Sequence, residues 1–178
     1  FNTNVDAVLK INGRRLAELA RETGLDWQAL TEVKENKLHM PQDVIRGAFK
    51  CFSKGIAEEW LTEDIGVFNF MSEQLGFDRL QMGGQGGIVA NALAVCGVQQ
   101  VFCHCNSLSE LQARQFLPLD NLLSFDENGA VKAAHQINRT ADTPLIHWII
   151  EFDKGDVFEL DGHKVSCPKA NRFIDTYD

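Results

Sequence analysis

Residues 82–94 read MGGQGGIVANALA, with four glycines around one glutamine directly before an apolar run. The preceding residues, DRLQM, read as a short strand, so the stretch predicts a turn from a strand into a helix. Many glycine turns at helix starts bind phosphate. This one lacks both the G-x-x-x-x-G-K-[ST] pattern of a P-loop and the third glycine of a dinucleotide-binding fingerprint. Because the amide of Gln85 both donates and accepts, the turn suits hydroxyl groups better than phosphate; close strand-to-helix packing is the alternative.

Alternating strands and helices flank this turn. Residues 1–11 alternate between an apolar and a more polar face and predict the first strand. After the turn come an apolar helix, a strand at 99–105, a helix near 107–116 and a strand at 121–125. That order is typical of a parallel sheet with helical crossovers. The helix that begins near Gly86 is apolar on all sides and is therefore predicted to be buried.

Four helices are predicted between the first strand and the glycine turn, at residues 16–23, 26–37, 41–60 and roughly 62–75. Glycines follow the first and the last of them, as expected for helix C-caps. On a helical wheel, the third helix places Glu59 within its apolar stripe and Glu58 toward solvent. Since a carboxylate on a buried face needs a polar partner or a ligand, Glu59 is the functional candidate.

The pattern changes past residue 133. Three short strands, LIHWIIEF, DVFEL and HKVSC, are joined by the turn dipeptides Lys154-Gly155 and Asp161-Gly162. They predict an antiparallel meander that forms a separate small sheet, and the terminal NRFIDTYD has no predicted element. The sequence therefore predicts part of an α/β core followed by a β appendage.

The composition argues against several classes of protein. The formal net charge of −8 is unsuited to a non-specific nucleic-acid binder. The apolar runs are far shorter than the ~20 residues that span a bilayer. The sequence opens at Phe1 without a basic n-region, so no signal peptide is predicted. An odd number of cysteines, mostly inside apolar runs, predicts reduced thiols in a cytoplasmic protein.

The triplet Cys103-His104-Cys105 leaves a metal protein open as an alternative. Structural zinc sites, however, usually space paired ligands by two to four residues and need four ligands. On a strand, Cys103 and Cys105 share one face while His104 points to the other. Two buried core thiols are the favoured interpretation, and no metal ligand is assigned.

Two predicted strands carry polar side chains that suit a sugar. Asn4 and Asp6 share one face of the first strand, where an amide and a carboxylate two residues apart can bind a polyol. A solvated polar face is the alternative. His147 lies with Glu151 on the less apolar face of strand 145–152, and for His147 a ligand contact and a structural role are both open.

Three stretches occur together in a set order: NTNVDA at 2–7, MGGQGGIVAN at 82–91, and HWIIEF at 147–152 followed by NRFI at 171–174. In this order they resemble the ADP-dependent sugar kinases, the glucokinases and phosphofructokinases of the ribokinase-like fold. The similarity runs through nearly the whole chain. The first two motifs are specific, whereas NRFI is short and means little by itself.

The resemblance implies a large α/β domain, with a mostly parallel sheet flanked by helices, and a small antiparallel β-sheet lid that closes over a sugar. Residues 1–133 would form the N-terminal part of the large domain, with some of 13–63 open to assignment to the lid. Residues 134–178 would form lid strands and the return toward the large domain. The implied reaction transfers the β-phosphate of ADP to a hexose or hexose phosphate, with Mg²⁺, and gives AMP. The implied partners are the hexose and ADP. No nucleic acid or membrane is expected from the charge and the short apolar runs, and no oligomer is predicted.

The resemblance also assigns residues by position. It implies sugar contacts on the first strand, after the long helix, at the glycine turn and in the lid, from Asn4, Asp6, Glu59, Gly84, Gln85, Gly87 and His147. Arg172 resembles the arginine that approaches the nucleotide phosphates.

One departure bears on activity. Members of the family carry their catalytic base in a G-x-G-D motif, and a metal-associated N-x-x-E motif, in regions that lie beyond residue 178. This chain is therefore expected not to transfer phosphate alone, and no catalytic residue is assigned. The residues before His147 are Pro144, Leu145 and Ile146, without the basic residue that would suit a sugar phosphate. Glucose is thus favoured over fructose 6-phosphate, and a non-catalytic sugar-binding or regulatory module is the alternative function.

Overall fold

The computed structural model describes residues 3–32, 36–62 and 64–177. Its contacts divide the chain into two compact units. Unit 1 consists of Phe1–Asp6 and Leu80–His147, and unit 2 consists of Ala7–Arg79 and Trp148–Asp178. The chain therefore passes from one unit to the other three times. The domain boundary predicted at residues 133–134 stays a prediction.

Short helices are interspersed with strands up to residue 125, and strands predominate after it. In order, the elements are β1 (Asn4–Lys10), α1 (Gly13–Glu22), α2 (Trp27–Thr31), β2 (Lys37–Leu38), α3 (Pro41–Lys54), β3 (Glu58–Thr62), α4 (Ile65–Asn69), β4 (Arg79–Gly83), α5 (Gln85–Val95), β5 (Val101–Phe102), α6 (Glu110–Ala113), β6 (Leu122–Phe125), β7 (Val131–Ala133), β8 (Ile146–Phe152), β9 (Val157–Leu160), β10 (His163–Ser166) and β11 (Asn171–Tyr177). A π-helical turn, Phe70–Leu75, continues α4. None of the helices in the described ranges combines the length and the apolar composition that crossing a membrane requires.

The main sheet of unit 2 is largely parallel. Its strand order is β2-β3-β11-β8-β1, and both β2 and β11 pair in parallel with β3. A separate antiparallel ribbon, β9–β10, turns at Asp161-Gly162, where both residues have positive φ. The predicted α/β fold with a small antiparallel sheet is confirmed. The three-stranded meander is wrong, because β8 lies in the main sheet between β11 and β1.

Helix α3 is shorter than predicted. It begins at Pro41 and stops before Gly55, whose φ of 63° is left-handed and ends the helical hydrogen bonding. The predicted extension to residue 60 is wrong, because Glu58–Thr62 form β3. The helical-wheel assignment of the two glutamates fails with it: Glu58 is half-buried, and Glu59 is exposed.

The other predicted helices of unit 2 were partly correct. α1 starts after Asn12, whose Oδ1 accepts from the Arg15 amide, and the chain leaves it through Gly24. The last helix ends at Gly76, as predicted. Within 26–37 only Trp27–Thr31 is helical; residues 33–35 lie outside the described ranges, and Lys37 belongs to β2.

Aromatic side chains form much of the unit 2 core. Phe52 of α3 meets Phe152 of β8 edge-on, with ring centroids 5.4 Å apart. Trp60 of β3 meets Phe173 of β11 in the same way at 5.3 Å. Gly47 lies where α3 crosses this pair, and a methyl group there would overlap the Phe173 ring. The glycine therefore permits the close packing of α3 on the sheet.

Unit 1 contains Asn4–Asp6 of β1, Leu80–Gly83 of β4 and a second sheet, β5-β6-β7. β5 and β6 are parallel, as predicted, although the strand expected at 99–105 and the helix expected at 107–116 are both shorter. Apolar side chains of α5, β5, α6 and β6 pack into one buried cluster that includes Ala90, Val101, Ala113 and Leu122.

Helix α5 departs from its prediction. Only Gly87, Ala90 and Ala94 are buried. Ile88 and Val89 are each 53% exposed and Leu93 is 44% exposed. The prediction of burial on all sides is therefore wrong, because an all-apolar composition does not supply a packing partner for each face.

Candidate functional site

Two polar side chains at the start of β1, Asn4 and Asp6, belong to unit 1. Asn4 is 1% exposed, and its Nδ2 donates to Oδ1 of the half-buried Asp6 at 2.8 Å. A solvated polar face is therefore the wrong interpretation for Asn4. The amide retains one N–H and its carbonyl oxygen, and the carboxylate retains several lone pairs. Such a pair can accept from and donate to neighbouring hydroxyl groups.

The glycine turn approaches this pair directly. A methyl group at Gly83 would overlap both Asp6 Oδ1 and Asn4 Nδ2. Only glycine lets the end of β4 lie against the two polar side chains. The sequence had singled out Gly84, Gln85 and Gly87 but not Gly83, since nothing in the glycine cluster distinguishes its members.

The remaining turn residues open α5. Gly84 has a φ of 71° and is the N-cap, and Gln85 is the first helical residue, with an exposed side chain. At Gly87 a methyl group would meet the thioether of Met82, a flexible side chain. The first amides of a helix have no intrahelical acceptor, so this turn presents N–H donors beside an amide side chain.

The start of β1 is anchored by a residue that sequence reasoning missed. Gln112 of α6 is fully buried, and its Nε2 donates to the carbonyl oxygen of Thr3 at 2.7 Å and to Thr3 Oγ1 at 2.9 Å. A glutamine in a short polar segment carries no sequence signal for such a role. The anchor fixes the backbone immediately before Asn4.

His147 is the last residue of unit 1 in the sequence. Its side chain is half-buried, and its Nε2 is buried with no hydrogen-bond partner within the described residues. Buried polar atoms are usually paired, so an unpaired ring nitrogen is consistent with a ligand contact.

In unit 2, the candidate Glu59 lies on β3 and is held by β11. Thr176 Oγ1 donates to Glu59 Oε1 at 2.7 Å. The neighbouring Glu58 accepts from Lys50 Nζ at 2.7 Å and from Trp60 Nε1 at 2.9 Å. Burial acts to raise the pKa of Glu58, but these two hydrogen bonds and the charge of Lys50 outweigh it and lower that pKa. Glu58 therefore forms a structural ion pair with Lys50, and the carboxylate of Glu59 is the one open to a ligand.

Arg172 lies on β11 with an exposed side chain. It lines a cavity of about 450 Å³ together with Lys10, Glu151, Asp153 and Asn171. Lys10 is paired with Asp153 at 2.8 Å. No ion pair or side-chain hydrogen bond involves Arg172 within the described residues, so its charge is free for an anion.

The Cys103-His104-Cys105 triplet has the alternation expected of an extended segment. Both thiols are buried in the unit 1 cluster and His104 is exposed. The hydrogen bond between the thiols lowers the pKa of Cys105 and, with burial, raises that of Cys103. Throughout the described ranges, no three His, Cys, Asp or Glu residues are grouped so that they could hold a metal ion.

Comparison with known proteins gives consistent results. The family model described as "ADP-specific Phosphofructokinase/Glucokinase conserved region" matches residues 1–178. The ADP-dependent glucose/glucosamine kinase of Pyrococcus furiosus is 34% identical over 100% of this chain and 38% of its own length. The ADP-specific phosphofructokinase of Methanosarcina acetivorans is 28% identical over 98% of this chain and 36% of its own length.

A solved structure shows the same fold. The structure described as "ADP-dependent kinase complex with fructose-6-phosphate and ADPbetaS" has a TM-score of 0.76 and 28% sequence identity. The match covers 99% of this chain and 34% of that one. The chain thus spans little more than a third of the length of the relatives and structures that it matches.

Proposed function

Because the chain belongs to the family of ADP-specific phosphofructokinases and glucokinases, we propose that the full-length protein transfers the β-phosphate of ADP to a hexose. The products are AMP and a hexose phosphate. The observation that carries this proposal is the Asn4–Asp6 pair against Gly83 in unit 1. A buried amide and a half-buried carboxylate, packed against a glycine, match the hydroxyl groups of a neutral sugar.

The proposed chemistry of binding follows from these groups. Asp6 accepts from sugar hydroxyls, while Asn4 and Gln85 each donate and accept. The anchored start of β1 limits movement of the first two side chains. Several fixed contacts to one ring hold a chosen hydroxyl in line for attack on the phosphate. Binding energy thereby lowers the activation free energy of the transfer.

The other assigned contacts rest on the family resemblance. Glu59, Gly84, Gly87 and His147 are proposed as further hexose contacts, and Arg172 as a contact to the nucleotide phosphates. The exposed carboxylate of Glu59, the unpaired Nε2 of His147 and the exposed guanidinium of Arg172 support these roles.

Mg²⁺ is proposed as the cofactor that accompanies ADP, where it would neutralise phosphate charge during transfer. The described residues do not offer a ligand cluster for it, so none is assigned to the metal. No catalytic base is assigned either. We propose that residues 1–178 alone do not transfer phosphate.

Glucose is the proposed substrate, with fructose 6-phosphate next. The sequence Pro144-Leu145-Ile146 before His147 supplies no cation for a sugar phosphate. The 34% identity to a glucose/glucosamine kinase supports the same preference.

A cytoplasmic location is proposed from the cysteines. All five are free thiols, and four of them are buried. Reduced cysteines are typical of a reducing compartment.

The test is an assay of the full-length protein with ADP, Mg²⁺ and either glucose or fructose 6-phosphate, with AMP as the measured product. AMP formation that depends on the sugar supports the proposal, and its absence with both sugars rejects it. A Gln85→Ala variant is expected to weaken sugar affinity more than ADP affinity. The opposite result would assign the glycine turn to phosphate.

Calorimetry of the 178-residue chain with the same sugars separates the alternative function. Tight hexose binding that is lost in Asp6→Ala, from a full-length protein that makes no AMP, would indicate a sugar-binding or regulatory module.

A further inference from the structure

Two adjacent glutamates of β3 are held by different kinds of donor. Glu58 is bonded to the cationic Lys50 and to an indole N–H. Glu59 is bonded to the neutral hydroxyl of Thr176, its single hydrogen-bond partner within the described residues. A lysine neutralises the carboxylate that it binds, whereas a hydroxyl fixes the carboxylate and leaves its charge. Glu59 therefore keeps its full strength as an acceptor.

The donor on β11 is fixed in place. Thr176 is 2% exposed, and it lies two residues beyond Ile174, which is directly opposite Glu59 in the parallel pairing of β3 and β11. A β-branched side chain in a strand has few accessible rotamers, and a buried hydroxyl must keep a partner. The hydrogen bond at 2.7 Å thus ties one carboxylate oxygen of an otherwise exposed side chain to the sheet.

We propose that Thr176 is a positioning residue for hexose binding. Its hydroxyl holds Oε1 of Glu59 and restricts the carboxylate, so that Oε2 remains available to accept from a sugar hydroxyl. An exposed glutamate without this restraint would lose side-chain entropy on binding. This inference rests on the proposed role of Glu59 as a hexose ligand.

The experiment compares matched variants of the full-length protein. Thr176→Val removes the hydroxyl at nearly constant volume, and Thr176→Ser keeps it. Thr62→Val is the control, because Thr62 is a fully buried threonine of β3 whose hydroxyl donates to the Leu38 carbonyl oxygen at 3.2 Å. Glu59→Gln tests the ligand itself. Hexose affinity is measured by calorimetry with glucose and with fructose 6-phosphate, kcat and KM by AMP formation, and folding by thermal unfolding.

Thr176→Val is expected to weaken hexose binding and raise the hexose KM by roughly three- to tenfold, the size of one hydrogen bond to a charged group in partial contact with water. The KM for ADP should not change, kcat should fall much less, and Thr176→Ser should restore the hexose KM. Thr62→Val should lower the unfolding temperature about as much as Thr176→Val while leaving the hexose KM unchanged.

The possible failures are distinguishable. If Glu59→Gln weakens hexose binding but Thr176→Val does not, the ligand role stands and the positioning role is rejected. If Thr62→Val and Thr176→Val raise the hexose KM equally, the effect is general destabilisation and the positioning role is again rejected. If Glu59→Gln has no effect, or if the wild-type protein binds neither sugar, the proposed role of Glu59 fails together with the inference.

Discussion

The two units differ in what they bury beside their aliphatic side chains: aromatic rings predominate in unit 2, and amide side chains are added in unit 1. Unit 2 buries aromatic rings such as Phe52, Trp60 and Phe173 between α3 and its sheet. Unit 1 fully buries Asn4 and Gln112, while apolar residues of α5 such as Ile88 remain about half exposed. Burying polar groups is unfavourable unless they are hydrogen-bonded. Asn4 Nδ2 and Gln112 Nε2 both donate hydrogen bonds, whereas the buried Gln112 Oε1 has no partner within the described residues. Buried amide side chains of this kind indicate a ligand site, whereas buried aromatic rings indicate a hydrophobic core.

Unit 2 buries a charged residue type beside its apolar core. Asp175 of β11 is 0% exposed, and neither carboxylate oxygen has a hydrogen-bond partner within the described residues. It lies on the same strand face as Phe173 and Tyr177, both of which contact other aromatic rings. Burial raises the pKa of Asp175 to about 7, so this carboxyl group retains its proton in the folded state at mildly acidic pH.

The largest expected effect follows from this group. Because the folded state holds the proton up to about pH 7 while the unfolded chain releases it near its ordinary pKa of 3.8, the free energy of unfolding should fall as pH rises between these values. The slope should reach about 1.4 kcal/mol per pH unit. Asp175→Asn should remove the slope and make the protein relatively more stable above pH 7. Chemical denaturation at several pH values measures it.

Asp126 provides the control of opposite sign. A hydrogen bond from Lys132 lowers the pKa of Asp126. Its contribution to stability is therefore present above its ordinary pKa and lost as pH falls. Asp126→Asn should reduce the acid sensitivity of the protein and leave its stability above pH 6 with the same pH slope as wild type. If Asp175→Asn behaved in the same way, Asp175 would be ionised in the folded protein.

The next largest effect on stability is expected from loss of the Lys50–Glu58 ion pair. Lys50→Met keeps the apolar stem but leaves Glu58, whose side chain is 23% exposed, without its cation. We expect a loss of about 1–2 kcal/mol in the free energy of unfolding. Lys132→Met removes a lysine that is itself 55% exposed and should have an effect of about 0.5 kcal/mol or less. Equal losses would mean that the Lys50–Glu58 pair is no better shielded from solvent than the Lys132–Asp126 pair.

A smaller change in free energy, but a specific one, is expected at the glycine turn. Gly83→Ala should displace Asp6 and Asn4 and weaken hexose binding by roughly tenfold, since misplaced ligands lose both hydrogen bonds and orientation. Gly87→Ala meets only the flexible Met82 thioether and should have a smaller effect. Calorimetry with glucose compares the two. Unchanged affinity in Gly83→Ala would show that the buried polar pair of unit 1 is structural.

The smallest effect should come from α5. In the 178-residue chain, Leu93→Ala should change the free energy of unfolding by about 0.5 kcal/mol or less, because Leu93 is 44% exposed. Leu122→Ala, at a fully buried position of the same unit, should destabilise by about 2–5 kcal/mol. Similar losses from both variants would show that the outer face of α5 is packed in solution and would weaken the contrast between the units.

Local sequence signals predicted much of the fold. Alternation identified β1, and turn dipeptides identified the β9–β10 ribbon. Proline located the start of α3, and glycines located the ends of α1 and of the π-helical turn that continues α4. The end of α3 was missed because Ile56 and Trp60 continue the helical spacing even though Gly55 stops the helix. The pairing of β8 with β11 and β1 was not predicted, because a turn dipeptide indicates pairing only with the next strand in the sequence.

The candidate site was predictable where it depends on single motifs. Asn4, Asp6 and Gln85 are recognisable by residue type and spacing. The roles of Gly83, Gln112 and Thr176 depend on contacts between distant parts of the chain, which no local pattern contains. Glu59 was singled out for the wrong reason, since its interest lies in its bond to a strand 117 residues away rather than in a helical stripe.

The threefold passage of the chain between the units has a consequence for biosynthesis. Within residues 1–178, α3 and β3 precede β11, the strand that pairs with β3, by most of the length of the chain. On the ribosome, β3 therefore emerges well before this partner strand. Contacts of such long range slow folding and leave strand edges exposed in the meantime. The edge of β3 that β11 covers is thus open to wrong pairing during synthesis until β11 has emerged.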